Sequence, residues 1–289
     1  MFMNAIARAE PKVPIATVSP DCNLNLQQRA ADEVGLHVAR SLVRYRSHGL
    51  QDLNKASLMN RVDTKFLVPV GRLPAMLDAL QADFSALEID GRRVFQYQST
   101  YFDTLCCRFY NQHHNGQLNR HKVRLRTYVD SDLQFLEIKF KNNKGRTIKR
   151  RMQVQGSPEC ALDQARDFII QAGVPEDLNL LPSLTNRYHR LALASEVRGE
   201  RLTIDLNSHN QNHFKPDACA AFTGLAIIEL KQARVDRSSP FFELVRANGL
   251  RSSGFSKYCM GMSATLHTFN LIRTNRFKRT LRRLDNLVE

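Results

Sequence analysis

The chain has 289 residues, 43% of them hydrophobic, and a formal net charge of +14. That content supports a real core, and the length suits two domains or one barrel-like domain with appended helices. No apolar run approaches the ~20 residues of a membrane helix, and none of the six cysteines lies in a C-x-x-C pair or at zinc spacing from His, which excludes a helical span and a zinc module.

Residues 1–33 carry scattered Pro, Asn and Gln without a sustained period and read as a loose leader. They contain no continuous apolar stretch after a basic start, so no secretory signal is expected. Helical spacing over Leu36–Tyr45 opens a main domain expected over 34–268. A strand follows over Ser57–Val70, then an amphipathic helix over Leu73–Leu80 with Pro74 in its first turn. Strands are predicted at Val94–Asp103, Val123–Val129, Leu133–Lys141 and Arg146–Val154. Turn residues Asp130-Ser131-Asp132 and Asn142-Asn143-Lys144-Gly145 join the last three into an antiparallel meander. A helix over Pro158–Ala172 precedes strands at Leu184–Ala192, Arg201–Asn207 and Leu225–Lys231. Helices follow over Pro240–Ala247 and from Lys257. The segment 269–289 is a basic helix or tail, densest from Arg273 to Arg283. The expected class is α+β, β-dominated: about eight antiparallel strands closed into a barrel, which removes exposed edges.

The charges on these strands recur at period two. Arg124 and Arg126 share a side, as do Glu137, Lys139 and Lys141, then Thr147, Lys149 and Arg151. Arg201, Thr203 and Asp205 repeat the pattern, and so do Glu229 and Lys231. A solvated sheet face also alternates, but its usual fillers are Thr, Ser and Gln. Like charges stacked on neighbouring strands destabilise a sheet unless an anion compensates. At about 4 Å and an effective dielectric near 20, a cation–phosphate pair gains roughly 4 kcal/mol before desolvation. Glu137, Asp205 and Glu229 have the parity of the cations on their strands. Each is an ion-pair partner or a ligand for an oxygen-seeking metal such as Mg²⁺.

Nothing points to a nucleophile. His113, His114 and His121 fall in an expected loop and read as solvated, and the cysteines read as reduced, buried thiols. Neither a P-loop nor a dinucleotide fingerprint occurs, so a phosphate site must be built from side chains.

In order along the chain come Arg61-Val-Asp63-Thr-Lys65-Phe66, Tyr101-Phe102-Asp103-Thr104, Lys122-Val-Arg124-Leu-Arg126-Thr-Tyr128 and Leu136-Glu137-Ile-Lys139. Then follow Lys149-Arg-Arg151, Tyr188-His-Arg190-Leu-Ala192, Arg201-Leu-Thr203-Ile-Asp205, Ile228-Glu229-Leu-Lys231 and Ser256-Lys257-Tyr258. Together, over roughly 50–265, these pieces resemble the VTC domain in its bacterial form. That domain is the polyphosphate polymerase branch of the triphosphate tunnel metalloenzymes, the CYTH superfamily. The resemblance implies an eight-stranded antiparallel tunnel with flanking helices and a charged lumen. It implies transfer of the γ-phosphate of ATP to inorganic polyphosphate with Mn²⁺ or Mg²⁺. By motif, Arg124, Arg126, Lys139, Arg190, Arg201, Glu229 and Lys257 would be catalytic. Lys65, Lys149, Arg151, Lys231 and Ser256 would bind phosphates. Glu229 would hold the metal, with Glu137 and Asp205 as further candidates.

Tunnel triphosphatases usually open with E-x-E-x-K, and this chain has Arg61-x-Asp63-x-Lys65. One acid fewer weakens two-metal activation of water and favours polymerase over triphosphatase. The alternatives are a triphosphatase on the same fold and a non-catalytic binder of polyphosphate or another polyanion. Nucleic acid is disfavoured because the basic strands read as lacking aromatic stacking platforms. The expected location is the cytoplasm. Membrane association would come only through the basic tail, docked to a membrane surface or a membrane-protein partner.

Overall fold

Strands that alternate apolar and charged residues must cover the apolar face, and here helices do so. A computed structural model describes residues 35, 37–55, 61–266 and 269–285. The leader over 1–33 and the first residues of the strand expected from Ser57 lie outside the described residues. Helix α1 (37–43) is followed by β1 (Ser47–His48), α2 (Leu50–Lys55), β2 (Val62–Pro69) and α3 (Leu73–Leu80). Next come β3 (Ser85–Leu87), β4 (Phe95–Asp103), α4 (Arg108–His114), β5 (Arg120–Tyr128), β6 (Leu133–Lys141) and β7 (Thr147–Val154). Helices α5 (Pro158–Gln164) and α6 (Arg166–Gln171) lead to β8 (Leu181–Ser195), β9 (Glu200–Asn212), β10 (Cys219–Phe222) and β11 (Leu225–Gln232). The chain continues through α7 (Pro240–Ala247), α8 (Lys257–Leu266) and α9 (Asn275–Asp285).

Eight strands form the main path in the order β2-β11-β9-β8-β4-β5-β6-β7, with β10 and β3 pairing beside it on β9 and β8. All pairs on the path are antiparallel. The meander β5-β6-β7 is as expected. The helix read over Pro158–Ala172 is broken at Ala165 into α5 and α6. Ser157 caps its start by accepting from the Cys160 amide at 3.2 Å, and Pro158 fits the first turn. The short elements β1, β3, β10, α2 and α4 lack the periodicity that reveals longer ones.

The expected closure is corrected. Among the described residues β2 and β7 end the sheet and do not pair with each other. The loop before α8 occupies the free side of β2: Ser252 bridges Phe66, and the Ser253 amide donates to the Lys65 carbonyl at 2.8 Å. At the other end, β7 is exposed along most of its length and carries Lys149, Arg150 and Arg151. Such a charged edge resists pairing. The sheet is a rolled, open trough.

Two cores back this trough. Phe66 and Val68 of β2, Ile228 and Leu230 of β11, and Leu202 and Ile204 of β9 pack under α3 and α7 through Leu73, Leu77, Phe241 and Val245. Val123, Leu125, Leu136 and Ile138 of β5 and β6 pack under α5 and α6 through Ala161 and Ile169. Each fully buried Leu, Ile or Phe contributes about 1.5–3 kcal/mol, so the unlike faces of each strand fix its register. A third core seats α8 against Leu67, Leu184, Phe222 and Ile227. Close approach there requires Gly261, where a Cβ would lie 2.5 Å from both Asn210 Oδ1 and Leu184 Cδ2. No helix among the described residues is long and apolar enough to cross a membrane.

The basic tail is partly helix α9. It packs through Phe277 onto Tyr110 and His114, and Arg276 donates to the His114 carbonyl at 2.9 Å. The histidines are not solvated, correcting that expectation. His114 and His121 are buried, and burial with Lys122 and Arg120 nearby drives His113 down to about 2. Among the cysteines, Cys107 and Cys259 are buried while Cys106 and Cys160 are exposed, so only part of the buried-thiol reading holds.

Candidate functional site

Residues directly opposite in antiparallel strands share a face, and the register collects the charged positions on the concave one. Lys65 pairs with Glu229, Asp63 with Lys231, and Lys231 with Arg201. Arg190 pairs with Asp205, Arg124 with Glu137, Lys122 with Lys139, and Lys139 with Lys149. Arg151 pairs with Glu137 from the exposed strand β7. Ser256 and Lys257 reach the same space from the start of α8. The sequence-predicted residues therefore share one concave face, spread along its length.

Two acids there are engaged by cations. Glu137, with a fully buried side chain, accepts from Arg124 Nε at 2.8 Å and Nη2 at 2.5 Å, and from Lys149 Nζ at 2.6 Å. Arg126 lies 3.8 Å away. Burial would raise the carboxyl, but Arg124, Arg126 and Lys149 hold it well below the usual carboxylate range. Asp205 accepts from Arg190 Nε at 2.6 Å and Nη2 at 2.8 Å, and also from Lys257. These cations outweigh its burial in the same way.

The third acid is placed differently. Lys65 stands 3.6 Å from Glu229, and Asp63, diagonal to it across the β2–β11 pair, is its neighbour. Burial and the adjacent Glu229 raise Asp63. Burial opposes the Glu229 charge, but Lys231 and Lys65 outweigh it and depress that carboxyl. Two carboxylates in contact suit a divalent cation that takes its remaining ligands from water and phosphate. Among the described residues no cluster of three or more His, Cys, Asp or Glu could hold a metal, so protein alone would not complete the shell.

The lysines are left with excess positive charge. Arg124 and burial push Lys139 well below its ordinary value, and among the described residues it has no ion-pair partner within 4 Å. Burial with neighbouring cations brings Lys122 and Lys231 down to about 8. Lys122 donates to Ser256 Oγ at 2.9 Å, and Lys231 to Thr203 Oγ1 at 3.1 Å.

Aromatic rings line the same wall, correcting the expectation that the basic strands lack them. Arg190 lies 5.0 Å from the Tyr97 ring centroid and 5.4 Å from that of Tyr188, and Arg126 lies 5.7 Å from Tyr97. Lys257 lies 4.8 Å from the Tyr188 centroid and Arg124 6.0 Å from that of Tyr101. Cation–π contact fixes the guanidinium planes. The alternation Tyr97-x-Ser99-x-Tyr101 carried the signal, and a search for charge alone passes over it. Asp103 was missed as an organiser. It is wholly buried, accepts from the Phe109 and Tyr110 amides, each at 2.9 Å, and from Tyr258 Oη at 2.5 Å. It thereby ties α4 to α8, whose Tyr258 stacks on Tyr101 at 5.1 Å.

A family model described as "VTC domain" matches residues 60–266. No curated protein matches the chain. Among solved structures, an adenylyl cyclase-like protein of Hippeastrum, whose description reports a dominant triphosphatase activity, is 18% identical with a TM-score of 0.44. That alignment covers 72% of this chain and 97% of the other. A protein of Bacillus halodurans described as an adenylate cyclase is 14% identical with a TM-score of 0.43, covering 68% and 96%. A conserved hypothetical protein of Pyrococcus furiosus is 10% identical with a TM-score of 0.37, covering 68% and 99%.

Proposed function

The chain belongs to the VTC domain family, and from that premise we propose that it is a metal-dependent polyphosphate polymerase using ATP as phosphoryl donor. The observation that carries the reading is the surplus of cations over acids on the concave face, with Lys139 held beside Arg124 and brought low by it. That arrangement is costly until a polyanion neutralises it.

Phosphoryl transfer needs positioning and charge neutralisation more than covalent help. Arg124, Arg126, Lys139 and Lys149 on one wall, with Arg190, Arg201 and Lys257 on the other, hold the triphosphate in line. Lys65, Lys231, Arg151 and Ser256 extend the grip to the polymer. A terminal oxygen of the polymer forms the new bond to the γ-phosphorus. The bond from that phosphorus to the β–γ bridging oxygen breaks, and ADP leaves. The attacking end is already anionic, so no general base is needed. Glu229, with Asp63, would hold Mn²⁺ or Mg²⁺, which when bound would neutralise charge on the phosphate oxygens. Glu137 and Asp205, engaged by arginine and lysine, serve in this reading to hold those cations in place.

The test is product analysis after incubation with ATP and Mn²⁺, with Glu229→Ala as control. Polyphosphate and ADP, both lost in the variant, are the expected products. Orthophosphate without polymer would make the protein a triphosphatase. If neither product formed, the enzymatic reading would fail.

A further inference from the structure

We infer that the aromatic rim made by Tyr128, Phe135 and Tyr97 seats a nucleobase, so that the site selects nucleoside triphosphates over inorganic triphosphate. This rests on the proposed binding of a triphosphate along the concave face.

Tyr97 lies opposite Tyr128 on β5 and Tyr188 on β8, with centroids at 5.0 Å and 5.5 Å. Phe135 stands edge-on to Tyr128 at 5.9 Å and 84°. Arg151 lies 5.0 Å from the Phe135 ring centroid. Leu133, opposite Tyr128 in the register, is 44% exposed. Tyr97, Tyr128 and Phe135 are partly exposed, so their rings are within reach of a ligand on the concave face.

The rim follows directly from the phosphate cations. Phe135 is the register partner of Arg126, and Tyr128 is two residues beyond it, roughly 7 Å at about 3.4 Å per residue. A triphosphate gripped by Arg124 and Arg126 would carry its ribose outward across that distance and lay its base against the rings. Tyr97 already serves Arg126 and Arg190, whereas Tyr128 is partly exposed. Ring stacking tolerates every base because each has a π-face. The rim should therefore recognise a nucleotide without reading which one, favouring the larger purine face. Inorganic triphosphate presents nothing to it.

The experiment measures dissociation constants for ATP and for inorganic triphosphate by titration calorimetry on the full chain without added metal. Wild type is compared with Tyr128→Ala, Tyr128→Leu and Tyr128→Phe. Tyr128→Ala and Tyr128→Leu should each weaken ATP by roughly 5- to 150-fold, the range of one base–aromatic stack. Both should leave inorganic triphosphate within about twofold, and Tyr128→Phe should retain ATP affinity. The leucine variant keeps apolar bulk if alanine fails to fold. Equal loss for both ligands, or no loss for ATP in either variant, overturns the inference. Wild type that binds inorganic triphosphate but not ATP overturns it while sparing the polyanion site. Wild type that binds neither takes the proposed function down with it.

Discussion

Glu137 and Arg124 stand directly opposite on β6 and β5, and one oxygen of Glu137 takes both Nε and Nη2 of the arginine. Its other oxygen takes Lys149, so one buried acid holds cations from the strands on either side. Removing one partner of a buried ion pair costs about 3–5 kcal/mol. Glu137→Gln should therefore lower the melting temperature of the ligand-free protein. Added inorganic triphosphate should recover more in the variant than in wild type, because phosphate supplies the missing counter-charge. Differential scanning calorimetry with and without ligand decides it, and an unchanged ligand-free transition would refute the role.

Lys122 and Lys231 titrate near 8, below an ordinary lysine, because burial and neighbouring cations disfavour their charge. Between about 8 and the ordinary value the unfolded chain binds more protons at these sites, so their contribution to stability rises with pH through that window. Polyanion affinity should move the other way, since both lysines lose charge as pH passes 8. The loss can reach about tenfold per pH unit per lysine. Triphosphate titrations from neutral to alkaline pH should show this, with proton uptake on binding visible in the buffer dependence of the enthalpy. A flat affinity across pH 8 would contradict it.

Arg61 Nε donates to Asp63 Oδ1 at 3.0 Å, beside the Asp63–Glu229 contact. Arg61→Glu would add a third acid to that pair and a donor set for a second metal, which activates water. Orthophosphate release should rise several-fold relative to polymer. An unchanged product ratio counts against the idea that the missing acid biases the site to transfer.

Gly261→Ala would push α8 off Asn210 and Leu184. Overpacking of this kind costs about 1–3 kcal/mol, or about 2–4 °C per kcal/mol. Because Ser256 and Lys257 lead into that helix, triphosphate binding should weaken with the loss of stability. Adding Leu184→Ala should restore part of both. Full stability in the single variant would show that α8 has room to shift.

Most of the charged face was legible in the sequence because antiparallel strands convert period two into sidedness. Arg124 with Arg126, Glu137 with Lys139, and Glu229 with Lys231 were assigned to shared faces from spacing alone. Helices α3 and α7 were equally plain, with the ends expected from apolar spacing and proline position. The partners of each acid were not legible. Whether Glu137 meets a metal or two cations depends on which strand lies opposite. That is set by the order β4-β5-β6-β7, by register, and by the curl that brings Lys139 into the field of Glu229.

The sequence by itself determined the β-dominated class, the basic face and the positions that carry charge. These follow from local periodicity and composition. Only the tertiary structure decided that the sheet stays open between β2 and β7, because Ser252 and Ser253, distant in sequence, occupy the side of β2 that closure would need. It also decided that Tyr97, Tyr101 and Tyr188 join the arginines, and that Asp63 rather than Glu137 or Asp205 neighbours Glu229. Those outcomes depend on contacts between residues far apart in the chain, which local sequence does not encode one by one.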